Sequence, residues 1–307
     1  MSTDLPVTVI GGYLGSGKTT LVNHLLRHAD GCRLAVMVND FGTLPIDADL
    51  IEAEDETIKA ITGGCLCCSF GNDLAGALAD LKALPNPIDH ILIEASGVAL
   101  PGAIASSIEL LQGFQHNGVA VLCDVETVQK RARDKYMGDT IQRQLDDADL
   151  LLLNKVDLVS DAFLASSKAW LAGAAPNTPI IACTFGTIPL GVLIDPNFSI
   201  KAPVSGPTHD VQSAFRTIAF EIGHPVDANL LAKALADPKM GLVRAKGFVH
   251  ELGGGMTTIQ IVGERFSVSP APASAGCGLV CIGPIDQINE AAIRAAMDNV
   301  QKLRKPA

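Results

Sequence analysis

Hydrophobic positions along this chain fall into two spacings. Residues 7–12 are β-branched, apolar and then glycine, a glycine-rich turn follows, and apolar residues recur at helical spacing to residue 28. That run predicts strand, turn and helix. Short apolar runs predict further buried strands over 33–38, 90–94, 119–124, 150–154 and 178–182. Helices are predicted between them: one carrying Leu74, Ala77, Leu78 and Leu81 at i, i+3, i+4 and i+7, and two more over 101–111 and 160–173. Strands alternating with helices predict an α/β domain, a doubly wound and mostly parallel sheet. From 195 to 208 prolines, serines and a glycine interrupt all periodicity, as a linker does. Beyond it the pattern predicts strands over 215–222, 242–252, 257–269 and 279–282 and helices over 227–236 and 287–303, a smaller α+β domain with a mainly antiparallel sheet. The expected division is 1–197, a linker at 198–212, and 213–307.

The first strand and helix enclose Gly12, Gly17, Lys18 and Thr19, which satisfy G-x-x-x-x-G-K-[ST] in the context that the motif requires. In such a loop glycines let backbone amides curl around phosphate oxygens, Lys18 adds charge near the β/γ-phosphates, and Thr19 offers a hydroxyl to Mg²⁺. Tyr13, Leu14, Gly15, Ser16 and Thr20 complete the candidate nucleotide loop. The strand over 90–94 ends on Glu94, with Gly97 three residues on; after a phosphate loop, that position carries a Mg²⁺-linked carboxylate and an amide that senses the γ-phosphate. Asn154, Lys155 and Asp157 end another strand as Asn-Lys-x-Asp. The Asp can accept the N1 and N2 protons of guanine, a donor pair that adenine lacks. Asp40, and Asp47 or Asp49 in the loop after the second strand, are candidates to reach Mg²⁺ or a water near the γ-phosphate, or are simply solvated.

Composition narrows the class. With 33 acidic and 23 basic residues, the net charge of −10 argues against a general nucleic-acid surface or an anionic membrane as partner. The start of the sequence leaves no room for a secretory signal before the phosphate loop, and no apolar run approaches a membrane span, so a soluble cytoplasmic protein is expected. Cysteines there are mostly reduced. Cys32, Cys123 and Cys183 lie at or beside predicted strands and read as small core residues, and Cys277 with Cys281 reads the same way. Cys65, Cys67 and Cys68 differ: a glycine pair precedes them and a helix start follows, whose dipole favours thiolate. Redox chemistry and plain packing stay open, but three soft ligands suit Zn²⁺, Co²⁺ or Cu⁺ and leave a position for exchange. His24 and His28, an i, i+4 pair, read as a solvated helix face or as metal ligands.

Together the motifs resemble the CobW family of metal-chaperone GTPases, which includes zinc chaperones and nitrile hydratase activators and is related to urease and hydrogenase accessory GTPases. The resemblance rests on the phosphate loop over 11–20, Cys65-Leu66-Cys67-Cys68 as a Cys-x-Cys-Cys motif, Glu94-Ala95-Ser96-Gly97 as E-x-x-G, and Gln144 to Asp149 leading into Asn154–Asp157; in the smaller domain it rests on Arg244 to Gly247 and Ile282-Gly283. It implies GTP and Mg²⁺ as cofactors, slow GTP hydrolysis involving Lys18, Glu94 and Asp40, and Zn²⁺ or Co²⁺ as cargo on the three cysteines. The implied partner is a client metalloprotein or metal-inserting enzyme. Two departures stand out: Asp40 replaces the family's usual Glu, and the linker carries His209 where many members have a histidine-rich stretch. A small-molecule kinase on the same loop, or a regulatory GTP-binding module with structural cysteines, are the competing readings.

Overall fold

The computed structural model describes residues 4–29, 31–38, 58–60, 72–194, 215–271 and 277–302. The chain divides into two compact units, Met1–Asn197 and Phe198–Ala307. The first contains strands β1 (Leu5–Gly12), β2 (Leu34–Val38), β3 (Ile58–Ala60), β4 (His90–Glu94), β5 (Phe114–Asp124), β6 (Leu150–Asn154) and β7 (Ile180–Ala182). Its helices are α1 (Lys18–Arg27), α2 (Asn72–Lys82), α3 (Pro101–Glu109), α4 (Val128–Ala132), α5 (Gly138–Asp146), α6 (Asp161–Ala174) and α7 (Leu190–Leu193).

The seven strands form one sheet, ordered β3-β2-β4-β1-β5-β6-β7, in which every pair is parallel. Parallel strands are covered on both faces, which is why they read as continuous apolar runs. Val7, Val9, Ile91, Ile93, Val121 and Leu153 pack on one face with Leu78 of α2, Ile108 of α3 and Leu145 of α5. Their alternate neighbours, Ile10, Leu92, Leu122 and Leu152, are buried toward the other, as are Leu21 and Leu25 of α1. Because all strands run the same way, the carboxyl ends of β1, β4, β5 and β6 share one edge, the edge where ligands bind in such sheets.

The second unit holds β8 (Phe215–Phe220), β9 (Arg244–His250), β10 (Met256–Val262), β11 (Arg265–Pro270) and β12 (Gly278–Pro284), with α8 (Ala228–Leu235) and α9 (Glu290–Lys302). The sheet is ordered β11-β10-β9-β12-β8 and is antiparallel throughout. Ile218, Ala245, Ile259, Ile261 and Leu279 line the face that packs with Leu231 and Leu235 of α8 and Ile293 of α9. Asp227 caps α8, its carboxylate accepting from Leu230 N at 2.9 Å.

Several elements depart from expectation. The single strand expected over 257–269 is a hairpin, β10 and β11, with Val262 paired to Arg265. Gly263 opens its two-residue turn at φ 57°, which the apolar alternation on either side conceals. β5 begins at Phe114, five residues before the expected start, and the short β3, α4, α5 and α7 were not expected.

Candidate functional site

The phosphate loop leaves β1 at its carboxyl end and closes on α1. Gly17 caps α1 in the left-handed region, φ 103°, and a Cβ there would drive into the Asn154 amide. Only glycine meets both demands. Lys18, the first residue of α1, is 8% exposed. Thr19 is half-buried and Thr20 exposed. Thr19 Oγ1 donates to Glu94 Oε1 at 2.9 Å, a bond between side chains 75 positions apart. Glu94, 2% exposed, thus stands beside the loop at the carboxyl end of the adjacent strand β4. A buried carboxylate next to a hydroxyl at a helix start is a hard-oxygen donor set that fits Mg²⁺.

Other segments hold the loop. Tyr13 is half-buried, Leu14 and Gly15 are exposed, and Ser16 is buried. Arg131 of α4 donates from Nη1 to Leu14 O at 2.8 Å, and its guanidinium lies 4.9 Å from the Tyr13 ring centroid. The Tyr13 hydroxyl meets Met137 Sδ at 2.7 Å. Ser16 Oγ is buried, and the Ser16 N–H donates to Tyr13 O at 3.1 Å. Beneath the loop a cavity of about 20 Å³, lined in part by Ser16, Asp124 and Thr127, has room for one water.

Gly97, buried after β4, lies so close to Leu14 that an added Cβ would stand 2.8 Å from Leu14 N. Gln144 Nε2 donates to Ala99 O at 2.8 Å and to Gly97 O at 3.2 Å. Asp147 Oδ2 accepts from Gly102 N at 2.9 Å near the start of α3, and Asp149 Oδ2 accepts from Val119 N at 2.8 Å. Gln144 and Asp147 therefore tie the end of α5 to the segment following Glu94, while Asp149 ties the chain just before β6 to β5.

The Asn-Lys-x-Asp residues separate by role. Asn154 is buried; its Nδ2 donates to Ser16 O at 2.9 Å and its Oδ1 accepts from Gly186 N at 3.0 Å. It is spent on joining β6, the phosphate loop and the segment after β7. Lys155 sits at φ 64° and its Nζ bonds Asp124 Oδ2 at 2.8 Å, orienting the stem between the ends of β5 and β6. Asp157, in a 3-10 turn at Val156–Leu158, is exposed. Sequence reasoning did not anticipate Arg131 or the Phe185-Gly186 segment, where Phe185 is 70% exposed at φ 52°. Neither carries an apolar period or a motif.

Asp40, Cys65, Cys67 and Cys68 lie outside the described residues, as do Asp47, Asp49 and His209. Among the described residues no three His, Cys, Asp or Glu side chains are grouped to hold a metal ion. His24 and His28 stack at 4.4 Å between centroids, but His24 Nε2 bonds Ile188 O at 3.0 Å and His28 Nδ1 bonds His24 O at 2.8 Å. Burial holds His24 below its ordinary pKa. No helix among the described residues is long and apolar enough to cross a membrane.

Cys32, Cys123, Cys183 and Cys281 are buried, while Cys277 is half-exposed. Burial pushes the Cys123, Cys183 and Cys281 thiols up to about 12. The folded state holds those protons more tightly than the unfolded chain, whose thiols titrate near ~8.5. This contribution to stability is complete below that pH and is lost as pH climbs toward 12. At pH 8 an alkylating reagent is expected to leave these three unmodified in the native protein, as read by peptide mass mapping. Rapid labelling of any of them would contradict the burial.

Residues 6–182 match the family described as CobW/HypB/UreG, nucleotide-binding domain, and residues 215–301 match the cobalamin synthesis protein cobW C-terminal domain. The zinc chaperone CobW of Pseudomonas aeruginosa is 32% identical over 85% of this chain and 81% of its own length. The zinc chaperone YjiA of Escherichia coli is 32% identical over 80% of this chain and 81% of its own length. The crystal structure of Zn(II)-bound YjiA GTPase from E. coli aligns at 25% identity and a TM-score of 0.46, covering 97% of this chain and 99% of that one. With both domains matched in order, this chain belongs to the CobW family, a CobW/HypB/UreG nucleotide-binding domain followed by a CobW C-terminal domain.

Proposed function

We propose that this protein is a GTP-dependent metallochaperone that carries zinc on Cys65, Cys67 and Cys68 and delivers it to a client metalloprotein when GTP is hydrolysed. The observation that carries the reading is the 2.9 Å bond from Thr19 to Glu94, which joins the phosphate loop to the strand-end carboxylate. Lys18 and the loop amides hold the β- and γ-phosphates, with Gly97 contributing its backbone. Thr19 and Glu94 would hold Mg²⁺, directly or through water, and the ion would supply neutralisation of charge developing on the phosphates. Asp40 orients the attacking water. In sequence, Asp40 and the cysteines lie between β2 and α2, ahead of the β4 strand that ends on Glu94. Contacts to the γ-phosphate can therefore order or release the cargo segment.

Zinc is favoured over cobalt because the two 32%-identical relatives are named zinc chaperones. The acidic net charge argues against nucleic acid and anionic membranes as partners.

Base selection is assigned to Asp157, with Asn154 and Lys155 holding its strand end. Asp157→Asn is expected to weaken GTP, each hydrogen bond to a charged group being worth about 1.5–3 kcal/mol. The same change should favour xanthosine triphosphate, because the new amide donor suits xanthine's carbonyl. Competition titrations with GTP, xanthosine triphosphate and ATP test this. ATP bound as tightly as GTP by the unaltered protein would sink the assignment and point to the kinase reading.

A further inference from the structure

The turn after β7 carries an exposed aromatic side chain on a backbone that aromatic residues avoid. Thr187 N donates to Thr184 O at 3.0 Å, and the two residues between them, Phe185 and Gly186, have φ of 52° and 62°. Positive φ at both central positions is the pattern of a type I′ turn, which glycine, asparagine and aspartate favour. Gly186 meets that demand. Phe185 does not, and a bulky residue in the left-handed region costs free energy. Burial does not offset the cost, because Phe185 is 70% exposed. A single apolar side chain at the surface is ordinary. One that is also strained belongs to the class of residues that gather at ligand clamps.

Its place in the fold names the ligand. Val156 N donates to Cys183 O at 3.4 Å and Gly186 N to Asn154 Oδ1 at 3.0 Å, so hydrogen bonds to the Asn-Lys-x-Asp stretch stand on both sides of Phe185. Cys183 N extends the β6–β7 pairing onto Leu153 O at 2.9 Å. The turn also lies against α1, where a Cβ on Gly186 would stand 2.9 Å from Leu21 Cα. Phe185 is therefore mounted between β6 and the helix that begins at Lys18, at the carboxyl edge of the parallel sheet.

We infer that the Phe185 ring stacks on the face of the guanine base. The inference rests on the assignment of base recognition to Asp157 and its neighbours, and it adds a contact of a different kind. Asp157 reads the edge of the base, where guanine and adenine differ. A ring on the face is indifferent to the base, since every base has a π-face. Phe185 thus contributes affinity, and Asp157 contributes choice.

The test is nucleotide titration of the full chain, unaltered and as Phe185→Gly, Phe185→Leu and Phe185→Trp. Phe185→Gly should weaken GDP and GTP alike by about 5- to 150-fold, the range for one base–aromatic stack. Its melting temperature without nucleotide should not fall, because glycine relieves the left-handed strain. Phe185→Leu keeps apolar bulk without a ring and should also weaken both nucleotides. Phe185→Trp should keep the affinity, with indole emission quenched as GDP binds. Placed in Asp157→Asn, Phe185→Gly should weaken xanthosine triphosphate by the same factor. GDP affinity unchanged by Phe185→Gly or by Phe185→Leu would overturn the stack. A lowered melting temperature accompanying the lost affinity would assign Phe185 to structure and overturn it as well. The same titrations compare GTP with ATP on the unaltered chain, so a failed stack with guanine preference intact is distinct from a failure of the Asp157 assignment.

Discussion

Lys18→Ala is expected to lose GTP binding, while Glu94→Gln is expected to keep it and lose turnover. Lys18 begins α1 and is 8% exposed, so its charge sits in a site largely shielded from water. Truncating one partner of a buried, hydrogen-bonded charge pair costs about 2–5 kcal/mol, roughly 30- to 5000-fold in affinity. Glu94→Gln differs in kind. A glutamine oxygen still accepts from Thr19 Oγ1, so the 2.9 Å bond and the loop it anchors survive. What is lost is the negative charge that would hold Mg²⁺. A bound metal supplies several kcal/mol of transition-state charge stabilisation, so phosphate release should fall by about a hundredfold or more and lose its Mg²⁺ dependence. Nucleotide titration without Mg²⁺ and steady-state phosphate release across a Mg²⁺ series separate the two effects. If Glu94→Gln kept both its rate and its Mg²⁺ dependence, the carboxylate would have no part in the chemistry.

The parts of the fold that were legible in the sequence are those with a strong local cause. Parallel strands buried on both faces read as apolar runs, so β1, β2, β4, β6 and β7 were visible, and the helix carrying Leu74, Leu78 and Leu81 was fixed by its period. The α4 and α5 helices were not visible. They carry few apolar residues, and what holds them is tertiary: Arg131 on the Leu14 carbonyl, Gln144 on the Gly97 and Ala99 carbonyls, Asp147 on the Gly102 amide. The β10–β11 hairpin hid because the alternation of apolar and polar residues runs on across a turn of only two residues.

Legibility at the candidate site follows the same line. Gly17 and Lys18 are set by a local motif, and the structure adds why glycine is demanded, through the Asn154 amide above it. The short motif from Asn154 to Asp157 reads as one recognition unit, yet Asn154 turns inward and Asp157 outward. That division depends on Ser16 and Gly186, distant in sequence and brought to Asn154 only by the sheet.

The second large effect expected is coupling between nucleotide and cargo. If γ-phosphate contacts hold the segment around Asp40 and the three cysteines in the arrangement that converges the thiolates, zinc affinity should be high with a GTP analogue and low with GDP. Coupling of this kind is typically ~1–3 kcal/mol, about 5- to 150-fold. Reciprocity then requires zinc to strengthen GTP binding by the same factor. Affinity should also fall as pH drops, because each ligand must shed its proton to bind. Replacing Cys65, Cys67 and Cys68 with serine should erase the coupling while leaving Mg²⁺-GTP binding largely intact, since the nucleotide contacts are assigned to the phosphate loop, Glu94, Gly97 and Asp157.

The most direct measurement is a zinc competition titration on the reduced protein, run with GDP, with a non-hydrolysable GTP analogue and with neither, for the unaltered chain and the triple serine variant. Zinc should bind more tightly with the analogue than with GDP in the unaltered chain, and the nucleotide should have no effect in the variant. Equal zinc affinity in all three states of the unaltered chain would contradict the chaperone mechanism, even with zinc bound to the cysteines.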